Sequence, residues 1–282
     1  MIKSILLVFD GFQEELNALN AALALAKKHD AAVTVLHISE EVTGSSLVYD
    51  GIAIAALAES IERENKVRLD QARRHIISYA DRHHLSLYSA DTKQQHASVT
   101  FIHKTGLAEH FISEEGRLHD IIVVAGHPDF RELAISALFT TGRPVIIMPR
   151  LEEGAIKDWH NEVAVCAWKD TVEASKAIAG ALPLLQKAKS VYVLALNSSD
   201  KDKDGLERLQ KYLTAHGVFA EVVSCTCNAN AAGKELLDQA DRLKADFIVM
   251  GAYGHSRLRE FIFGGLTKFM LANSDKPLLM AH

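Results

Sequence analysis

The chain has 282 residues, 48% of them apolar and 24% charged, with a formal net charge of −5. That length holds one large domain or two of ordinary size, and that balance suits a globular chain with a full core. The charge gives no broad electrostatic reason to bind nucleic acid or a membrane surface, no apolar run approaches the ~20 residues of a membrane span, and three cysteines are too few for an extracellular disulfide framework.

From the N-terminus, MIKSILLVFDGF carries a lysine and a short apolar run but lacks the length and small-residue cleavage site of a signal peptide. It reads as a first strand, and the expectation is a cytoplasmic protein. The opening ILLVFDGFQEELNALNAALALAKKHDAAVTVLHI is an apolar run, a polar turn, an amphipathic helix and a second apolar run. Strands are predicted near 3–9, 32–38, 86–91, 120–125 and 144–149, with helical patterns in the gaps. The longest helix is predicted over about 54–84, where apolar residues recur at helical spacing among mixed charges.

The pattern then starts again. From Glu162, EVAVCAWKDTVEASKAIAGALPLLQKAKSVYVLAL repeats the opening, and ADFIVMGAYGHS…DKPLLMAH repeats HDIIVVAGHPDF…GRPVIIMPR. The segment LEEGAIKDWHNE, from Leu151, is charged and aperiodic and reads as a linker, which divides the chain into 1–150 and 151–282. Second-half strands are predicted near 162–168, 190–196, 219–225, 246–251 and 277–281. Strands that alternate with helices imply right-handed crossovers and a parallel sheet. Near-continuous apolar runs such as IIVVA and FIVM fit strands covered on both faces. Two tandem doubly wound α/β domains are expected.

In such sheets ligands bind beyond the carboxyl ends of the strands. FIVMG is a strand with Gly251 and Gly254 at that end, SRLREFIF has helical spacing, and Gly264 and Gly265 precede another helical stretch, LTKFMLAN. Glycine allows close backbone approach to a ligand. A helix N-terminus after such a turn presents N–H groups and a positive dipole end, which suits a phosphate chain.

With these residues, GAYGHSRLREFIFGG resembles the ATP-binding signature of the universal stress proteins, Gly-x2-Gly-x9-Gly-(Ser/Thr). The resemblance covers both halves and extends to VFDGFQ, the repeat length and the closing strands. It implies, for each domain, a five-stranded parallel sheet of order 3-2-1-4-5, and for the protein a role in stress resistance. It also implies ATP, with or without Mg²⁺, bound with at most slow hydrolysis, so an enzyme is not the leading expectation. Carried over, Gly251 would face the ribose, while Gly254, Gly264 and the N–H groups of Gly265 and Leu266 would cradle the phosphates. Thr267 and His255 would be polar neighbours. Adenine would sit against Ala167, Trp168 and Lys169, with Leu196 and Met250 beside it. The chain departs from the signature twice: Gly265 stands where the family has Ser/Thr, and Lys169 where it has the adenine-binding Asp. Lysine donates only and cannot accept from the adenine amino group.

The same alignment sets Ala125 opposite Gly251 and Pro128 opposite Gly254. The distance from Ala125 to Pro144 is 19 positions, against 26 from Gly251 to Pro277. The first domain therefore has a degenerate loop and is expected to bind no ATP in the family's manner. It keeps Asp10, with Gly11 after it, and Asp10 reads as a turn or cap residue before the first helix.

Cys225-x-Cys227 would project two thiols from one strand face, but no second pair completes a metal set, and no structural metal is expected. Among fourteen histidines, His83 and His84 end a helix without chelating spacing, and His127 and His255 follow the fourth strand of each half. Trp168 is a wall for adenine or a core aromatic. Asp170 and Glu173 suit a helix start. The resemblance implies that VIIMP and LLMA pair as last strands, an intrachain pseudo-dimer, and leaves a homodimer and an unidentified protein partner open. A nucleotide-independent scaffold or a binder of another small ligand is the alternative, favoured by Lys169 and Gly265. A hydrolase or adenylyl-transfer enzyme would need a metal-binding acid near the phosphates, and the sequence places none.

Overall fold

The computed structural model describes residues 1–39, 51–88, 97–126, 131–149, 158–196, 203–228, 231–252 and 265–282, with the backbone alone for 51–57. In the first half the order is β1 (Ser4–Val8), α1 (Leu16–His29), β2 (Ala32–Ser39), α2 (Gly51–His83), β3 (Ser86–Tyr88), β4 (Ser98–Thr105), α3 (Ala108–Gly116), β5 (Ile121–Ala125), α4 (Arg131–Thr140) and β6 (Val145–Met148). The second half has β7 (Val163–Trp168), α5 (Val172–Leu185), β8 (Ser190–Leu196), α6 (Lys203–Ala215), β9 (Ala220–Cys225), α7 (Ala232–Arg242), β10 (Phe247–Gly251), α8 (Gly265–Asn273) and β11 (Leu278–Ala281).

The strands form one sheet of order β3-β4-β2-β1-β5-β6-β11-β10-β7-β8-β9. Every pair is parallel except β6 with β11, where Leu278, Leu279 and Met280 oppose Ile147, Ile146 and Val145. The last strands VIIM and LLMA thus join the halves. In the second half the order is the 3-2-1-4-5 that the resemblance implies. In the first half β4-β2-β1-β5-β6 has that order too, and β3 is one strand more, a three-residue edge paired parallel to β4. The stretch predicted as the third strand, 86–91, is therefore the added edge as far as residue 88, and the third inner strand is Ser98–Thr105. Its sequence, SVTFIHKT, mixes Thr, His and Lys into the run, which hides it from a search for continuous apolar character.

Position in the sheet explains the composition of each strand. The central β5 (IIVVA), β6 (VIIM) and β11 (LLMA) are buried at every residue, because helices cover both faces. The edge strand β9 (AEVVSC) has no fully buried residue. Helix α1 is buried along eleven of its fourteen residues, ends in Lys27, Lys28 and His29 at its negative dipole end, and stops at Asp30 in the left-handed region, φ 51°. The helices α1, α2, α5 and α6 pack on one face of the sheet and α3, α4, α7 and α8 on the other, giving two apolar layers.

The halves also meet through helices and linker. The linker's Asp158 accepts from Asn20 of α1 at 3.2 Å, and Trp159 packs edge-on against Phe247, ring centroids 5.8 Å apart. Gly180 lies on α5 where a Cβ would come within 2.8 Å of the Cβ of Pro144, just before β6. Glycine inside a helix costs about 1 kcal/mol against alanine, and here it allows α5 to close on the other half. Gly180→Val should therefore destabilise the chain by about 2 kcal/mol through overpacking. Thermal unfolding should show a midpoint lower by several degrees, at roughly 2–4 °C per kcal/mol; a variant as stable as wild type would remove that contact from the joint.

Candidate functional site

The carboxyl ends of β7, β8 and β10 lie side by side. Register pairs Met250 with Ala167 and Ala167 with Leu194, and Leu196 is two residues beyond Leu194 on the same face. Ala167, Leu196 and Met250 share the layer that holds Leu266 of α8. The structure thus brings together four of the residues expected around adenine and phosphate. Side chains alternate along a strand, so Trp168 points the other way, into the layer of α5 and α6. Lys169 follows the strand end and is exposed.

Gly251 is the last residue of β10 and Gly265 the first of α8. The two glycines have different surroundings. A Cβ on Gly251 would lie 2.6 Å from the backbone nitrogen of Ala174 and 2.8 Å from the carbonyl carbon of Glu173, so the first turn of α5 demands glycine there. Among the described residues, a Cβ on Gly265 would meet nothing within 4 Å. Leu266 is half-buried and Thr267 is buried against the sheet. Gly254, His255 and Gly264 lie outside the described residues. In a parallel crossover the start of α8 stands at the carboxyl edge of β10, so its first-turn N–H groups and positive dipole end face the same edge as Met250. Helix α5 begins beside it, with Thr171 capping the N–H of Ala174 at 3.3 Å and Glu173 in its first turn.

The matching edge of the first half is filled. Gly11 has φ 96°, and a Cβ there would lie 2.9 Å from the backbone nitrogen of Ala72 and 3.0 Å from the carbonyl oxygen of Arg68. Helix α2 therefore closes directly over the turn after β1. Asp10 is not a cap on the first helix: its carboxylate accepts from the N–H of Ile38, at 3.3 Å, and lies 3.7 Å from Nδ1 of His37. The turn is held instead by Glu15, which is 1% exposed and accepts from the N–H groups of Asp10 and Phe12, each at 2.9 Å. Burial, with the nearby charge of Asp10, pushes the Glu15 carboxyl well above the usual carboxylate range, against the pull of those N–H bonds.

Beside it, His37 is 2% exposed and its Nδ1–H donates to the carbonyl of Phe9 at 3.2 Å. Burial holds its pKa down to about 4, with the neighbouring charges of His103, Arg68 and Arg73 adding to the effect. His103 is also lowered, chiefly by burial, and its Nε2 is 2.9 Å from Oγ of Ser39. No local pattern announces this cluster, because Glu15, His37, Ser39 and His103 come from three separate segments.

Of the other candidates, Cys166 is buried and its thiol is pushed up to about 12 by burial, which makes it inert. Cys225 ends β9, so Cys227 lies beyond the strand rather than on it. His83 is 2.8 Å from the side-chain oxygen of Asn20, whereas His84 takes the left-handed conformation that ends α2, φ 57°. His127 and Pro128 lie outside the described residues. Among the described residues no group of three His, Cys, Asp or Glu side chains is placed to hold a metal ion, and no helix is long and apolar enough to cross a membrane.

The sequence matches the universal stress protein family over residues 1–128 and 170–282. The structure is similar to that of a universal stress protein from Archaeoglobus fulgidus DSM 4304, with 15% identity, a TM-score of 0.70 and coverage of 99% of this chain and 95% of that one. It is also similar to a functionally unknown protein from Pseudomonas aeruginosa PAO1, with 16% identity, a TM-score of 0.56 and coverage of 99% and 92%. At these identities the likeness concerns the fold. A search among curated proteins finds no match.

The first-half cluster has a pH signature. A histidine with a pKa near 4 when folded and about 6.5 when unfolded adds stability above pH 6.5 and loses it as pH falls towards 4. The stability advantage of wild type over His37→Gln should shrink by about 2–3 kcal/mol between roughly pH 7.5 and 4.5. Urea unfolding at both pH values checks this, and an advantage that stays constant would mean that folding does not shift the His37 pKa.

Proposed function

Because the chain belongs to the universal stress protein family, as two such domains in tandem, we propose that its second domain, 151–282, binds ATP and uses occupancy as a signal or protective state in stress. The observation that supports this is the placement of the two ends of GAYGHSRLREFIFGG, with Gly251 at the carboxyl end of β10 and Gly265 the first residue of α8. Phosphates would rest on the first-turn N–H groups of α8, at Gly265, Leu266 and Thr267, with Gly254, His255 and Gly264 from the loop. Adenine would lie over Ala167, Leu196 and Met250. Lys169, at the exposed end of β7, would meet a ring nitrogen or a phosphate oxygen in place of the family's acid. Trp168 faces the other layer, so it would reach adenine only by its edge. The first domain, 1–150, would be a nucleotide-free half, a reading supported by the closure of α2 over Gly11.

On this reading the protein would be a nucleotide sensor with at most slow hydrolysis, acting in the cytoplasm through a protein partner, as an intrachain pseudo-dimer open to a further homodimer. The second reading, a scaffold without nucleotide or a binder of another small ligand, draws support from Lys169 and Gly265 and from the packing reason for Gly251.

Thermal unfolding with and without ATP and Mg²⁺ separates the two. A ligand at a hundred times its dissociation constant adds about 2.7 kcal/mol, a rise of several degrees at roughly 2–4 °C per kcal/mol. Wild type should show that rise and Gly254→Val should not. Gly265→Ser restores the family's hydroxyl where it would meet no described residue and should tighten ATP by about tenfold, the worth of one hydrogen bond to a charged oxygen. No rise in wild type would give the scaffold reading the lead. Unchanged affinity in Gly265→Ser would move the phosphates away from α8.

A further inference from the structure

The face of β7 opposite the proposed nucleotide has its own cleft. It lies between α5 and α6, has a volume of about 360 Å³, and is floored by Trp168. Helix α5 lines it with Ser175, Ile178 and Ala179, and α6 with Gly205, Arg208, Leu209 and Tyr212. These spacings put each set on one helical face. Ile178 and Leu209 are buried, whereas Tyr212 is 39% exposed at the mouth. The mouth also carries an ion pair, with Nη2 of Arg208 2.5 Å from Oδ2 of Asp170. Gly205 is part of the construction: a Cβ there would come within 3.0 Å of the Asp170 carboxylate, so glycine allows α6 to start against that loop.

A cleft of this kind, mostly apolar and aromatic with a few placed polar groups, at about 300–1,000 Å³, is the ordinary form of a small-molecule site. The side chains narrow the chemistry. Trp168, Ile178 and Leu209 offer a flat apolar surface, and Tyr212 offers a second ring at the rim. Arg208 holds five N–H donors in a fork, and among the described residues Asp170 engages one of them. An anionic group at the mouth would meet the rest, with its apolar body inside. The volume suits two or three fused or linked rings and is too small for a folded segment of a partner protein.

We propose that the cleft between α5 and α6 binds a small aromatic anion, with its rings on Trp168 and its anionic group on Arg208, at a site separate from the one proposed for ATP. The probe is 8-anilinonaphthalene-1-sulfonate, an aromatic sulfonate that becomes fluorescent in apolar clefts and accepts excitation energy from tryptophan. One dye per full-length chain should bind saturably, with energy transfer that Trp168→Phe reduces. Ala179→Phe fills the cleft and should weaken binding by about tenfold or more. Arg208→Gln changes an exposed side chain, leaves folding untouched, and should weaken it by about three- to tenfold. Saturating ATP should leave the dye in place. Absence of saturable binding, or equal binding by wild type, Ala179→Phe and Arg208→Gln, overturns the proposal. Displacement of the dye by ATP, one for one, also overturns it, by showing that the dye occupies the nucleotide site. A chain that binds dye but shows no thermal response to ATP keeps this site and loses the other.

Discussion

The antiparallel meeting of β6 and β11 decides the geometry of the whole chain. It is short, with three register pairs of fully buried aliphatic and methionine side chains. In a parallel sheet all ligand-side ends point one way. Reversing direction at this one joint turns the second half end over end, so the carboxyl edges of the two halves face opposite ends of a continuous sheet. Each ligand-side edge then lies beside the amino ends of the other half's strands. A small cavity of about 180 Å³ records this juxtaposition: Met148 and Pro149, at the carboxyl end of β6, line it together with Asp246 and Pro277, at the amino ends of β10 and β11. At the joint itself the end of β6 therefore abuts the other half's strand starts, and α5 seats on Pro144 at Gly180.

Duplication is most exact where the sheet begins. Asp120, before β5, accepts from the N–H groups of Lys3 and Ser4 at 2.7 and 3.0 Å. Asp246, before β10, accepts from those of Glu162 and Val163 at 2.7 and 2.8 Å. The two carboxylates bridge the central strands in the same way, satisfying backbone donors that the ladder leaves over. At the carboxyl edges the halves part company. The first closes a long helix over its turn and fills the space with Glu15 and His37. The second keeps a small-residue strand end at Ala167 and a loop that returns to α8. The scaffold is repeated; the chemistry at its ends is not.

Much of this was legible in the sequence, and the failures have physical causes. Continuous apolar runs such as IIVVA and FIVMG announced inner strands because burial on both faces leaves no room for polar residues. β4 was missed because its outer residues, His103 and Lys104, are only partly covered and dilute the run. Asp10 was read as a turn or cap residue because a carboxylate before a helix ordinarily serves there, whereas here Glu15, five residues on, turns back and takes the N–H groups. Trp168 was grouped with Ala167 because they are adjacent, and adjacency along a strand means opposite faces. Asp120 and Asp246 were visible as the repeated HD and AD before two strands, but a role that depends on pairing with a strand more than 80 residues away has no local signature.

The glycines of the signature carry unequal weight once their surroundings are known. Gly251 cannot accept a side chain, because the backbone of α5 occupies the place of its Cβ; its identity follows from packing whether or not a ligand is ever bound. Gly265 meets none of the described residues in this way, so nothing among them forbids serine or threonine there. A glycine argues for a ligand only where a side chain would otherwise have fitted. By that standard it is the start of α8, with its N–H groups and dipole end facing the carboxyl edge, that bears the nucleotide reading, while the end of β10 bears the fold. No described residue packs where a side chain at 265 would lie, so the missing hydroxyl bears on the proposed phosphate contact rather than on the described packing, which makes residue 265 the place to change binding with the least change in stability.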